Sequence, residues 1–396
     1  MSANQTQSPP ATENTHRSIM LDSRKALKKT RRLVFKVGTN ILFENDALSR
    51  NRLKVWARQT AELKRRGLEV IVVSSGAIGI GFKKLGLPKR PDNIKMKQAC
   101  AAVGQVHLMA AWEKALGDAG LLAAQILISA SDLADRTRFL NAKNTLLALL
   151  EKGVVPVINE NDTVALDELK FGDNDTLSAL VAGLVEADLF INLSDIDGLY
   201  NADPRKVEGA ELIDEVEKVT PSILALAGDG GPLGSGGMYT KVRAAKRLSE
   251  LGIASAVAGG LSREVLIKLI DGEPMGTFFR PQPKKLHGKK NWLAFASRPK
   301  GRLVVDAGCA QALTRKGKSL LPGGVCGLEG SFAIADPVVV VDQGGRVLAY
   351  GLSNYTSAEV EKIMGRRSRQ IASILGYTHS DEIIHRDNLV LSEGLV

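Results

Sequence analysis

Gly153-Val154-Val155-Pro156-Val157-Ile158-Asn159-Glu160-Asn161-Asp162 is an apolar run that turns abruptly polar. Its first half reads as a strand buried on both faces, which is the pattern of a parallel sheet. In open α/β sheets, ligands bind where loops leave the carboxyl ends of the strands. The polar half therefore falls where a site is expected. A second cluster, Gly172-Asp173-Asn174-Asp175, follows shortly after, and nine of the seventeen residues from Asn159 to Asp175 carry a carboxylate or an amide. Asp and Asn favour turns, yet solubility requires no such density of short polar side chains. The cluster points to a site that grips an ammonium group, orients cations, or both.

Outward from this stretch, strand and helix alternate. Strands are predicted at 33–37, 68–73, 123–129, 153–158, 188–193 and 254–258. Helices are predicted at 48–66, 93–116, 136–152, 174–187, 238–252 and 262–271. This order predicts an α/β/α sandwich with a mostly parallel central sheet. Near residue 280 the texture changes to Pro, Lys and Gly, and short Val-rich runs follow at 302–306, 338–341 and 347–350. They predict a small β-rich C-terminal domain with one or two helices, such as 357–373. The expected divisions are a disordered basic tail (1–30), a main domain (31–279), a basic linker (280–300) and a C-terminal domain with its tail (301–396).

The net charge of +10 is unevenly placed. Residues 1–32 balance at +5 and residues 280–302 at +8, leaving the other 341 residues at −3. A basic total thus gives no argument for a nucleic-acid-binding body. The Arg24–Arg32 stretch is expected to be a helix or a flexible arm, and a solvated leader rather than a nucleic-acid arm. Residues 1–22 are rich in Ser, Thr, Asn, Gln and Pro and lack an apolar targeting core. No uncharged apolar run reaches the roughly 18 residues a membrane span needs. Three cysteines without a CxxC spacing favour a reducing compartment, hence the cytoplasm, and argue against a structural zinc site.

Four further segments carry chemistry. Lys36-Val37-Gly38-Thr39-Asn40 ends the first strand: Gly38 lets backbone amides approach an anion, and Lys36 supplies a point charge. Val73-Ser74-Ser75-Gly76-Ala77-Ile78 follows the second strand. Ser75 and Gly76 there either hold an anion at a helix start or merely cap the helix through Ser75. Ser194 and Asp195 leave another strand, on a loop shaped to lie against a nucleotide. Gly230-Gly231-Pro232-Leu233-Gly234-Ser235-Gly236-Gly237-Met238 is the richest glycine run, and Lys241 one turn into the next helix tips it towards a phosphate cradle.

In their order and spacing, these motifs resemble the glutamate 5-kinase family of amino-acid kinases. The resemblance runs from about Leu33 to the C-terminus. It rests also on Ala101-Ala102-Val103-Gly104-Gln105, on Asp135 to Ala142, on Gly198-Leu199-Tyr200 with Ala202-Asp203-Pro204, on Ser319 to Pro322, and on His385 to Asn388. It identifies the C-terminal segment as similar to PUA domains. It implies transfer of the ATP γ-phosphoryl group to the side-chain carboxylate of L-glutamate, with Mg²⁺ carried mainly by ATP oxygens and water. It assigns phosphoryl contacts to Lys36 and Lys241 and gives Asp175 the task of holding both. Ser75, Gly76, Asn159, Asp162, Asp173 and Asn174 are implied to bind glutamate, with Asp162 on its ammonium group. Gly38, Ser194, Asp195, Ser235, Gly236, Gly237, Met238, Tyr239, Thr240 and both lysines are implied to bind ATP. Proline inhibition, a homo-oligomer (dimer or tetramer) and a downstream glutamyl-phosphate reductase are further implications.

Two rivals remain at this stage. An N-acetylglutamate kinase has a substrate without an ammonium group, leaving Asp162 without a partner. An RNA-binding protein would account for the basic linker and the PUA-like segment, but not for the kinase motifs. The PUA-like segment also departs from its family: Ala333-Ile334-Ala335-Asp336 stands where many PUA sequences place Arg-Gly-Asp/Glu, and Ala307 replaces an acidic residue.

Overall fold

Buried β-branched runs set the strands of the main domain, and helices cover the sheet they form. The computed structural model describes residues 21–164, 174–228, 237–283, 290, 292–293 and 297–392. Up to residue 280 the described strands are β1 (Arg32–Val37), β2 (Phe43–Glu44), β3 (Ala47–Leu48), β4 (Glu69–Val73), β5 (Ala123–Ile128), β6 (Val155–Glu160), β7 (Leu189–Ser194), β8 (Glu215–Val216), β9 (Ala254–Gly259) and β10 (Thr277–Phe279). Eight of them form one sheet in the order β5-β6-β4-β1-β7-β9-β10-β8, while β2 and β3 pair separately. Strands β5 to β9 of that order run parallel, and β10 lies antiparallel to β9. β6, β7 and β9 are buried at every residue, as strands covered on both faces must be.

The predicted helices appear as Arg50–Arg65, Ile94–Asp118, Arg136–Glu151, Asn174–Leu184, Met238–Glu250 and Val265–Ile270. The shorter Ala77–Lys84 helix packs on Ile94–Asp118 at unusually close range. A Cβ on Gly81 would lie 1.7 Å from the Cys100 carbonyl oxygen, and one on Gly104 would lie 1.8 Å from that of Ala77. Glycine is required at both because backbone occupies the space. This crossing fixes the loop after β4.

The reading of residues 24–32 as a solvated leader is corrected. Arg24–Lys29 forms a 3-10 turn with Leu27 fully buried and Arg24 nearly so. The Arg24 guanidinium donates to the carbonyls of Met275 (2.9 Å), Gly276 (2.7 Å) and Asp214 (2.6 Å), and pairs with the Asp214 carboxylate (2.7 Å). A guanidinium offers five donors, so one arginine satisfies several loop carbonyls at once. The division at 30–31 therefore cuts through packed chain.

In the C-terminal region the strands are β11 (Gly301–Val305), β12 (Val325–Gly330), β13 (Pro337–Asp342), β14 (Val347–Leu352) and β15 (Leu389–Leu391), in the sheet order β12-β11-β13-β14-β15. The sequence reading missed the helix Ala307–Lys316, whose cap is Asp306 accepting from the Cys309 amide. It also joined what the chain divides. Residues 357–373 form a helix at Ser357–Ile363, a 3-10 turn at Ser368–Gln370 and the start of a second helix, Ile371–Leu375. Gly365, at φ +74°, interrupts them. Within the basic segment 280–300, Trp292 and Leu293 are buried against the main domain. The Trp292 indole donates to the Leu133 carbonyl at 3.1 Å, and Arg136 stacks over its ring. An apolar Trp-Leu pair inside a lysine-rich run was the signal for this anchor.

Candidate active site

Because β1, β4, β6 and β7 are parallel neighbours, their carboxyl ends open onto one edge of the sheet. A cleft of about 1030 Å³ lies there. Lys36 is the penultimate residue of β1, aligned with Val73 on β4 and Asn192 on β7. Gly38 then ends the strand, its amide donating to the Leu193 carbonyl at 3.3 Å. Asp175 lies in the first turn of the Asn174–Leu184 helix, where the backbone dipole favours a carboxylate. Lys241 lies one turn into Met238–Glu250.

These three residues meet. The Lys36 ammonium is 2.7 Å from Asp175 Oδ1, and the Lys241 ammonium is 3.2 Å from Oδ2. Thr240 Oγ1 donates to Oδ2 at 2.7 Å and Asn192 Nδ2 to Oδ1 at 2.8 Å. Asp175 is 1% exposed, Lys36 6% and Lys241 9%. Burial alone would raise the Asp175 carboxyl; the two ammonium groups and the hydrogen bonds outweigh it and hold it far below the usual range. Two ammonium groups converge on one carboxylate at the edge of the cleft, a placement that suits an anionic ligand.

In the opposite part of the cleft, amide and hydroxyl side chains are linked by hydrogen bonds. Asn174 Nδ2 donates to Ser75 Oγ (2.7 Å), to the Ser74 carbonyl (3.0 Å) and to Asn159 Oδ1 (3.2 Å). Asn159 Nδ2 in turn donates to Gln105 Oε1 at 2.8 Å. Ser75 therefore does not cap the following helix: that position is Gly76, in the left-handed region at φ +100°. Of the two readings left open for this segment, capping through Ser75 is the one the geometry removes. Gly76, Asn159, Glu160 and Asp162 face the same cleft.

On the remaining side, Ser194 is buried and Asp195 accepts from Asn40 Nδ2 at 2.9 Å. Burial works to raise Asp195, but the Asn40 amide and further hydrogen bonds prevail and hold it below its ordinary value. Gly38, Gly237 and Met238 line the cleft. Tyr239 is not among its lining residues, because on a helix it points away from the face shared by Met238 and Lys241. Thr240 reaches the site through Asp175. Asp173, Ser235 and Gly236 lie outside the described residues. Sequence reasoning passed over Asn192, Asn40 and Gln105; the last two stood inside quoted motifs, whereas Asn192 looked like one residue of a buried strand. It also missed Trp112, whose indole donates to Ser74 Oγ at 2.9 Å beneath the loop after β4.

The amino acid kinase family model matches residues 31–259. The chain belongs to the amino acid kinase family. A PUA domain model matches residues 301–375. A glutamate 5-kinase of Syntrophotalea carbinolica is 46% identical over 368 residues, covering 93% of this chain and 99% of that protein. The glutamate 5-kinases of Carboxydothermus hydrogenoformans and Anaeromyxobacter dehalogenans are 50% and 49% identical, covering 93% and 94% of this chain and 99% of each relative. The resemblance read from the motifs is thus upheld across both domains, and this amino acid kinase carries a PUA domain as expected. Among its described residues, no helix is long and apolar enough to cross a membrane.

Proposed function

We propose that this amino acid kinase transfers the γ-phosphoryl group of ATP to the side-chain carboxylate of L-glutamate, giving L-glutamyl 5-phosphate and ADP. The observation that carries the reading is the buried Lys36–Asp175–Lys241 group, two ammonium groups held on one carboxylate at the mouth of a parallel sheet. A glutamate carboxylate is ionised near pH 7, so its oxygen attacks phosphorus without a general base. The remaining task is to bring two anions together and to neutralise charge on the transferring group. Lys36 and Lys241 meet the phosphoryl oxygens from two sides, and Asp175 keeps the two ammonium groups from repelling each other. Each such interaction is worth about 10²–10³ in rate where it acts on the transition state.

The acceptor end fits a free amino acid. Asp162 pairs with the α-ammonium group, and Ser75, Gly76, Asn159 and Asn174 surround the rest. ATP lies along Gly38, Ser194, Asp195 and the Gly237–Lys241 turn. Among the described residues no group of three or more His, Cys, Asp or Glu side chains is arranged to hold a metal. Mg²⁺ is assigned mainly to ATP oxygens and water, because it is a hard cation that keeps several waters. We place the reaction in the cytoplasm as the first step of proline biosynthesis, with proline as inhibitor at the glutamate pocket, a homo-oligomeric enzyme, and a reductase that consumes the labile acyl phosphate.

Hydroxylamine trapping tests the reading directly. ATP- and Mg²⁺-dependent hydroxamate is expected with L-glutamate and not with N-acetyl-L-glutamate. Product from the acetylated acceptor alone would replace the substrate assignment, and silence with both would remove the reading.

A further inference from the structure

Asn192 is 1% exposed, between Ile191 and Leu193 in the strand Leu189–Ser194. Its Nδ2 donates to Asp175 Oδ1, the oxygen that also accepts Lys36. An ionised carboxylate can only accept, so the amide must turn its nitrogen towards Asp175. That orientation leaves Asn192 Oδ1 buried without a hydrogen-bond partner among the described residues. An unpaired buried carbonyl destabilises a fold, and an apolar side chain of the same size would pack here without that cost. Packing therefore does not explain asparagine at 192.

The surroundings of Asp175 supply the explanation. Each carboxylate oxygen receives one ammonium group and one neutral donor: Oδ1 takes Lys36 and Asn192, and Oδ2 takes Lys241 and Thr240. Two flexible lysines alone leave the carboxylate free to turn about its last side-chain bond, a broad torsion. Asn192 sits on rigid sheet and Thr240 on a helix, so between them they fix the plane of the group. We propose that Asn192 is a positioning residue, which acts through Asp175 to hold Lys36 and Lys241 at the spacing the phosphoryl group requires. The proposal rests on the kinase reading of the cleft.

The test compares wild type with Asn192→Leu, Thr240→Val and the double variant, measuring kcat, both KM values and Tm. Asn192→Leu should lower kcat about 10- to 100-fold, the range for one hydrogen bond to a charged group. Both KM values should stay within about twofold, and Tm should hold or rise because the unpaired oxygen is gone. The double variant should lose less than the product of the single losses, since both donors act on one carboxylate. An unchanged kcat with a lowered Tm, or a rise in KM alone, would overturn the proposal. Should the leucine variant not fold, Asn192→Ala is read by kcat and KM alone, because the cavity it leaves lowers Tm by itself. The wild-type rate on L-glutamate against N-acetyl-L-glutamate tests the substrate reading separately, and the variant ratios are taken on whichever acceptor turns over. Crystal structures of wild type and Asn192→Leu decide the matter without any turnover: the carboxylate of Asp175 should rotate off Lys36 or Lys241, and an unmoved carboxylate would refute the inference.

Discussion

The side of the cleft around Asp175, proposed to meet the phosphoryl group, is held by charge, whereas the side from Ser75 to Asn174, proposed for the acceptor, is held mainly by packing and neutral hydrogen bonds. On the first side, donors converge on a carboxylate that is 1% exposed. On the second, an amide chain runs from Asn174 through Asn159 of β6 to Gln105, whose helix meets Ala77–Lys84 backbone to backbone at Gly81 and Gly104. The difference matches what each side must do. A transferring phosphoryl group gains charge stabilisation only from groups already in place. An amino acid is instead recognised by shape and by a few polar contacts, which demand a fixed backbone more than a strong field.

Breaking the charged side should have the largest effect. Lys241→Ala is expected to lower kcat on the order of 10²–10³-fold while the KM for ATP changes little. Steady-state kinetics over both substrates would expose the opposite pattern, in which ATP binding fails first. On the acceptor side, Asp162→Ala should raise the KM for glutamate about 30- to 100-fold with kcat largely kept, since it removes one charge pair. If kcat collapsed equally in both variants, the division between the two sides would not stand.

A smaller change tests the packing. Gly104→Ala forces a methyl group against the Ala77 carbonyl, and overpacking of this kind costs about 1–3 kcal/mol. Thermal melts should show a lower Tm, and glutamate KM should rise more than ATP KM because the displaced helix carries the Gly76 loop. A shift confined to ATP would mean that the crossing supports the other side.

The smallest effect concerns Glu250, near the far end of the helix that begins beside Lys241. Burial pushes its carboxyl up to about 7, against the pull of Lys246, Arg247 and Lys218. The folded state thus keeps a proton that the unfolded chain loses near its ordinary value of 4.5. Stability is fullest below that value and declines as pH rises towards about 7, by on the order of 1 kcal/mol once solvent screening is allowed for. Glu250→Gln should flatten this decline in melts recorded from pH 4.5 to 8. A variant curve that parallels the wild type would assign the slope to other groups.

The parallel sheet and the clefted edge were legible because buried strands, polar loop clusters and glycine-rich turns are local patterns. The same locality put Lys36, Asp175 and Lys241 among the candidates, through motifs that each begin at a strand or helix end. The split of residues 357–373 turned on Gly365, a single residue whose left-handed backbone outweighs an otherwise helical pattern. Arg24 read as solvated because its acceptors are backbone carbonyls at 214, 275 and 276, which no side-chain pattern reveals.

Sequence alone determined the fold class, the family resemblance and the three charged residues, since strand periodicity and motif spacing are written in neighbouring residues. Tertiary structure decided that the two lysines share one carboxylate, that Asn192 and Thr240 donate to it, and that Ser75 serves Asn174 rather than a helix end. Those facts depend on which strands lie side by side and on which donors face an acceptor after burial, and hydrogen-bond pairing across the sheet has no signature in one dimension.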